Sequence, residues 1–563
     1  MRRTTAGAVL AVTTAIAFTG VAVPAGASKE PFTDQELTWG PCAFTPEPEA
    51  LPAECALVTV PRDWAAPDNG RTLQVSISRV AAGGEHLGSL LVNPGGPGAQ
   101  GTSLPGALAA VQPQLHDRYA LIGMDPRGTG QEGGAAAETC EVPIDRLSQR
   151  TDLDARDRSA DSIAEHLKLP RAVAEACQSE ALAPFLTTWQ TAHDMELIRT
   201  LLGETTLDYL GYSYGTWLGA KYAGLFPDSA GKIVLDSSTD FQGRLQAAFE
   251  AWPPINQRLF EDTFLPWMTR QFPAEVGATT EEAAANWERG RAVFTGLGVS
   301  PDTYDAIFTG MGSQLRWVLG ALVFVLGVSE DPEAALAGSD LAPLLDKEST
   351  ARFGMPLAEL TPSVVATALV DDPADYQLVG ATRYAVACGD QPTHSAAWHQ
   401  RLSDRQGPRF PLYGWQYGIT EPCAFWSDDP RQQLPDLPAE VADRVLVVQG
   451  ELDPQTGFEQ ARSAVLASPG VSMVSVDDSP FHAQYAFEGN PCVDGMVNVF
   501  LLHNSRPGNV TCPGIPLPNE TVVHPVPGPV RASAATLLSA AAPLPELRAS
   551  VQAMISEVNA PIG

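Results

Sequence analysis

A serine between glycines, Gly211-Tyr212-Ser213-Tyr214-Gly215, follows the apolar run Leu207-Asp208-Tyr209-Leu210 and precedes a helix-like stretch over 216–226. Strand, G-x-S-x-G and helix in that order form a sharp turn that lifts the serine hydroxyl over the end of a sheet. The turn leaves no room for side chains beside the serine, hence the two glycines. A hydroxyl held there is suited to attack a carbonyl. That chemistry needs a base, an acid to orient the base, and N–H donors for the oxyanion. With a serine on such a turn, the acid comes later in the chain and the histidine later still. Five of the nine histidines follow Ser213.

Arg444-Val445-Leu446-Val447-Val448-Gln449-Gly450 reads as a buried strand, and Glu451-Leu452-Asp453-Pro454 comes just past its end. Asp453 is the expected acid, with Pro454 fixing the turn behind it; Glu451 is its rival two residues away. Residues 471–476 alternate as another strand would, and His482 sits in the loop that leaves it. His482 is the expected base. His503 and His524 lie in Pro- and Asn-rich stretches, and His394 and His399 precede the acid. A strand over 89–92 ends in Asn93-Pro94-Gly95-Gly96-Pro97-Gly98. Glycines let backbone N–H groups approach a ligand closely. Gly96, with Gly95 next, is expected to join the N–H of Tyr214 in an oxyanion hole. No Gly-Lys-Ser/Thr follows, so the loop is not read as a phosphate cradle.

The elements that must position these residues alternate. Strands are expected at 56–60, 72–80, 89–92, 119–124, 207–210 and 232–235, with helices between them. In the helix over 189–202, Met195, Ile198, Leu201 and Leu202 share a face. The pattern gives an α/β fold with a mostly parallel central sheet covered on both sides. From 240 to 427 helical, Trp-rich segments take over, which predicts an inserted cap that decides specificity. The expected organisation is a signal peptide over 1–27, sheet core over 28–239, helical cap over 240–427, sheet core again over 428–540, and a C-terminal tail or helix over 541–563.

Several function classes drop out on composition. The 563 residues carry a formal net charge of −31, which repels nucleic acid and anionic lipid, so neither is expected as a partner. Arg2 and Arg3, an apolar run to Val23 and Ala25-Gly26-Ala27 make an export signal cleaved after about Ala27, and hence a secreted protein. Residues 317–328 are apolar but too short to span a bilayer, and are expected as a buried helix. Eight cysteines in an exported chain predict four disulfides. Nearest-neighbour pairing gives Cys42–Cys55, Cys140–Cys177, Cys388–Cys423 and Cys492–Cys512. No metal-site spacing such as C-x2-C occurs, so no zinc is expected.

Five pieces carry a resemblance to a known family: Asn93-Pro94-Gly95-Gly96-Pro97-Gly98; Met124 to Gly130 (MDPRGTG); Gly211 to Asp228; Gly450 to Thr456 (GELDPQT); and Thr191-Ala192-His193-Asp194. Together with Trp39, Cys42 and Cys55 they resemble the secreted tripeptidyl aminopeptidases of actinobacteria, α/β-hydrolases related to the prolyl aminopeptidases. The resemblance runs from about Trp39 to about Cys512 and is thinnest in the middle. It implies an α/β-hydrolase fold, a serine exopeptidase releasing tripeptides from free N-termini, peptide or protein substrates, and no cofactor. Its triad carries over as Ser213, Asp453 and His482, and its TAP-like C-terminal region as 428–540. Two departures stand out: Pro94 where relatives have histidine before Gly-Gly-Pro-Gly, and Phe-His-Ala around His482 where Gly-His is commoner.

An exopeptidase must hold a free α-ammonium, which calls for carboxylates near the nucleophile. Glu451, Asp390 and Glu421 are the candidates. Trp398, Trp415, Tyr417 and Trp426 could line an apolar pocket. The rival readings are an esterase or lipase on the same fold, and a catalytically inactive hydrolase fold used for binding.

Overall fold

The computed structural model describes residues 32–132, 135–370, 378–503, 505–531 and 542–559. The expected signal peptide lies outside the described residues. Runs of alternating or continuous β-branched and aliphatic residues form the strands. In chain order these are β1 (Gly40–Pro41), β2 (Glu54–Pro61), β3 (Thr72–Val80), β4 (Gly88–Asn93), β5 (Tyr119–Met124), β6 (Leu207–Tyr212), β7 (Ala230–Asp236), β8 (Val445–Gly450), β9 (Ser472–Asp477) and β10 (Val510–Pro513). They join in one ten-stranded sheet, ordered β1-β2-β3-β5-β4-β6-β7-β8-β9-β10. Pairing is antiparallel from β1 to β5 through β3 and parallel from β5 across to β10. The expected mostly parallel α/β-hydrolase sheet is present.

Side chains on a strand alternate between faces, so each strand feeds two cores. Leu91, Ile122, Tyr209, Ile233 and Val447 pack against α2 (Thr188–Leu201) and α3 (Tyr214–Leu225). Leu90, Val92, Leu210, Val234 and Val448 pack on the other face against α1 (Leu104–Val111), α5 (Pro491–His503) and α6 (Pro545–Asn559). The C-terminal segment, expected as a tail or helix, is a helix over its described part, built into the core through Leu547, Val551 and Ile555.

Between β7 and β8 helices dominate among the described residues. Trp267, Trp317, Phe264 and Phe308 form its own core, which also takes in Leu452 and Phe481 from the loops beyond β8 and β9. The apolar run at 317–328 lies in α4 (Gln314–Val328), a buried helix. No helix among the described residues is long and apolar enough to cross a membrane. One stretch expected in the sheet core joins the helical layer instead: Thr139–Glu141 pairs antiparallel with Leu378–Gly380, and His166 bonds Asp302 at 2.7 Å. All four disulfides form as the nearest-neighbour pairing predicts.

Two of the matching motifs turn out to be architectural. Arg127, from MDPRGTG, forks onto Asp194 with contacts of 2.7 and 2.5 Å, both side chains fully buried. Its remaining hydrogens reach the carbonyls of Pro61, Arg62 and Phe185. A guanidinium so deep in the protein is tolerable only with its charge and donors met in this way.

Candidate active site

The turn between β6 and α3 holds Ser213 at φ 56° and ψ −123°, a left-handed conformation costly for any residue but glycine. Its N–H donates to Asp236 O on β7 at 3.0 Å, which fixes the turn to the sheet. A Cβ on Gly211 would sit 2.4 Å from Gly215 O, so only glycine closes so tight an elbow. Tyr214 opens α3, and its N–H therefore has no partner within the helix.

Asp453 and His482 meet in a fully buried pair, with Nδ1 2.9 and 3.0 Å from the two carboxylate oxygens. Asp453 also accepts from Gln455 N (2.9 Å), Thr456 N (3.0 Å) and Thr456 Oγ1 (3.0 Å). With carboxylate oxygens as its acceptors, Nδ1 carries the proton, which leaves Nε2 as the basic nitrogen. That Nε2 is buried and makes no hydrogen bond. Catalytic contacts of this kind tighten when substrate binds. Backbone ties hold the imidazole: His482 N donates to Gly312 O in the helical layer at 2.8 Å, and Ala483 N to Ser237 Oγ at 2.9 Å.

Gly96, Ser213, Tyr214, Thr239, Gln455 and Thr456 line one cavity of about 10 Å³, closed over by Leu245, Ala248, Phe249 and Trp252. Gly96 has φ 108°, and a Cβ there would meet Gly98 N at 2.8 Å. The structure thus brings both expected oxyanion donors to the nucleophile's cavity, with the acid loop on its wall. Phe249 and Trp252 also border a neighbouring recess of about 50 Å³, together with Arg383, Tyr384, Tyr413 and Glu421.

The three ammonium candidates fare differently. Glu421 lies in that recess, and burial pushes its carboxyl up to about 7 despite the Cys423 N–H and the nearby Arg383. Asp390 does not reach the cavity: its oxygens take Thr188 N at 2.9 Å and Trp217 Nε1 at 3.3 Å, so it pins α2 to α3. Glu451 accepts from Val530 N (2.8 Å) and Asp478 N (3.2 Å). Both are corrections: neither carboxylate lines the Ser213 cavity or the recess beside it. The expected aromatic lining is corrected as well. Trp398 stacks on His394 and Tyr417 is buried in the core, while Phe249 and Trp252 do the lining.

Sequence reasoning also passed over Asp236. Its buried carboxylate accepts from Gln484 N at 2.9 Å and Tyr485 N at 2.6 Å, two and three residues past His482. Burial pushes it up to about 7. The reach of helix α6 to the site was passed over too. Ser556 O and Oγ receive Gln455 Nε2, Val558 O receives Arg383 Nη1 at 2.8 Å, and Arg548 bonds Ala486 O on the histidine loop. A strand-end aspartate and a late amphipathic helix are too common in sequences to have flagged either.

A family model described as alpha/beta hydrolase fold matches residues 88–346, and one described as TAP-like protein matches 411–512. The tripeptidyl aminopeptidase of Streptomyces coelicolor is 29% identical over 483 residues, covering 82% of this chain and 83% of its own. The serine protease Hip1 of Mycobacterium tuberculosis is 26% identical, covering 85% of this chain and 91% of its own. A carboxylesterase B from Mycobacterium tuberculosis is 28% identical, covering 86% and 92%.

Proposed function

The chain is a serine peptidase of the α/β-hydrolase fold, and from that premise we propose that it is a secreted exopeptidase releasing short peptides, tripeptides first, from free N-termini. In this reading Ser213 attacks the scissile carbonyl while His482 Nε2 takes its proton. Asp453 holds the imidazole and steadies its positive charge. The N–H groups of Gly96 and Tyr214 receive the oxyanion. His482 then gives its proton to the leaving amine, and water hydrolyses the acyl-enzyme through the same groups in reverse. The helical segment 240–427 acts as the cap that closes the far end of the cleft.

The observation that carries the exopeptidase reading is Glu421. It stands in a recess that shares Phe249 and Trp252 with the Ser213 cavity. A carboxylate held up by desolvation regains its charge when a cation arrives, so a free α-ammonium fits it chemically. Secretion is supported by the four disulfides and by the export-signal pattern at the N-terminus.

The test is hydrolysis of Ala-Ala-Ala 4-nitroanilide, free and N-acetylated, by the native protein and by Ser213→Ala, with products read by mass spectrometry. Release of intact tripeptide from the free substrate alone, lost in Ser213→Ala, is the expected result. Equal turnover of the acetylated substrate would turn the reading toward an esterase-like or endopeptidase site. Activity that survives Ser213→Ala would end it.

A further inference from the structure

Gln455 borders the Ser213 cavity and is only 2% exposed. Its main chain is pinned on both sides. The N–H donates to Asp453 Oδ1 at 2.9 Å, and the carbonyl accepts from Trp252 Nε1 at 2.8 Å. Its side-chain nitrogen reaches Gly310 O at 3.0 Å and Ser556 O at 2.8 Å, with Ser556 Oγ at 2.9 Å. Two carbonyls can be met only by the NH2 end, so the amide has one orientation. That leaves Oε1 as a buried acceptor with no donor.

Buried carbonyl oxygens without a donor are uncommon and costly, and one on a residue that lines the Ser213 cavity asks for a ligand that completes it. The other polar side chains on the same wall are already committed. Thr456 Oγ1 bonds Asp453, Thr239 Oγ1 bonds Thr216, and the Tyr214 hydroxyl bonds Thr188.

We propose that Gln455 Oε1 accepts a backbone N–H of the bound chain, which makes it a substrate-binding residue selecting peptides over esters that lack such a donor. This deepens the peptidase reading and rests on it. A fixed acceptor costs nothing further to position when substrate arrives, and an analogue without the N–H leaves it unsatisfied. The C-terminal helix enters specificity through the same contact, because Ser556 holds the amide in place.

The native protein and Gln455→Met are assayed on a free tripeptide 4-nitroanilide, on analogues in which one backbone N–H at a time becomes an ester oxygen, and on 4-nitrophenyl acetate. Fluorophosphonate labelling counts active sites. In the native protein one N–H replacement is expected to lower kcat/KM about tenfold or more. The same replacement should cost Gln455→Met much less. Gln455→Met itself should lose at least about ten times more on the peptide than on the acetate. If no single N–H replacement hurts the native protein, the proposal is overturned, and that series needs no variant to fold. An equal loss on peptide and acetate also overturns it, since that is what a slackened Asp453 would cause. A native protein that labels and turns over acetate yet leaves the peptide uncut fails the peptidase reading itself.

Discussion

Asp236 couples two loops that have to stay in register. Its carbonyl receives Ser213 N, and its carboxylate receives two amides of the histidine loop. Replacing Asp236 by Asn puts an N–H donor where an acceptor is needed, so one backbone amide loses its partner. We expect kcat to fall about tenfold or more with KM nearly unmoved, read by initial rates, because misplacing a base by a fraction of an ångström is expensive. The same residue sets a pH dependence of stability. Its carboxyl is raised from 3.8 to about 7, so the folded protein holds that proton more tightly than the unfolded chain. The contribution to stability is full below about pH 4 and is lost as pH rises through 7. Urea titrations across that window should show a flatter slope for Asp236→Asn than for the native protein.

Glu421 gives a second prediction at this scale. Glu421→Gln should raise KM for a peptide with a free N-terminus by about 10–100-fold, the worth of a charge-assisted bond. It should do little to an acetylated one. Arg383 and Glu250 are the charged groups acting on it. With its carboxyl raised to about 7 in the empty recess, KM for the free peptide should also climb as pH falls below 7.

Elements explain what the sequence could and could not disclose. The strands at 72–80 and 119–124 appear with the expected bounds, because the first alternates apolar and polar residues and the second is a short apolar run, the two patterns a strand takes. The helix expected at 189–202 is Thr188–Leu201, shifted by its Thr187 cap. The placement of Ser213, Asp453 and His482 past strand ends was legible, because pattern alone reveals where a strand stops. The recess was not. Phe249 and Trp252 reach the cavity from helices far along the chain, and whether a carboxylate such as Asp390 meets solvent or backbone depends on tertiary packing.

The Cys388–Cys423 disulfide, 35 residues apart, ties the helix carrying Arg383 to the turn carrying Glu421. Cys388→Ser with Cys423→Ser should cost about 2–4 kcal/mol of stability. It should also raise KM for the free peptide more than it lowers kcat. Thermal melts and steady-state kinetics measure the two effects.

At the scale of the molecule, three bodies meet around Ser213: the sheet carries it, the helical layer roofs it, and α6 reaches both. Ser556 sits behind Gln455, Val558 behind Arg383, and Arg548 behind the histidine loop. These residues follow Ser213, Asp453 and His482 in chain order, so translation delivers the brace after all three. A nascent chain halted before residue 545 already carries Ser213, Asp453 and His482 but lacks the helix that braces Gln455, Arg383 and the histidine loop. Ribosome-bound chains of that length are expected to stay dark to a fluorophosphonate that marks the finished protein.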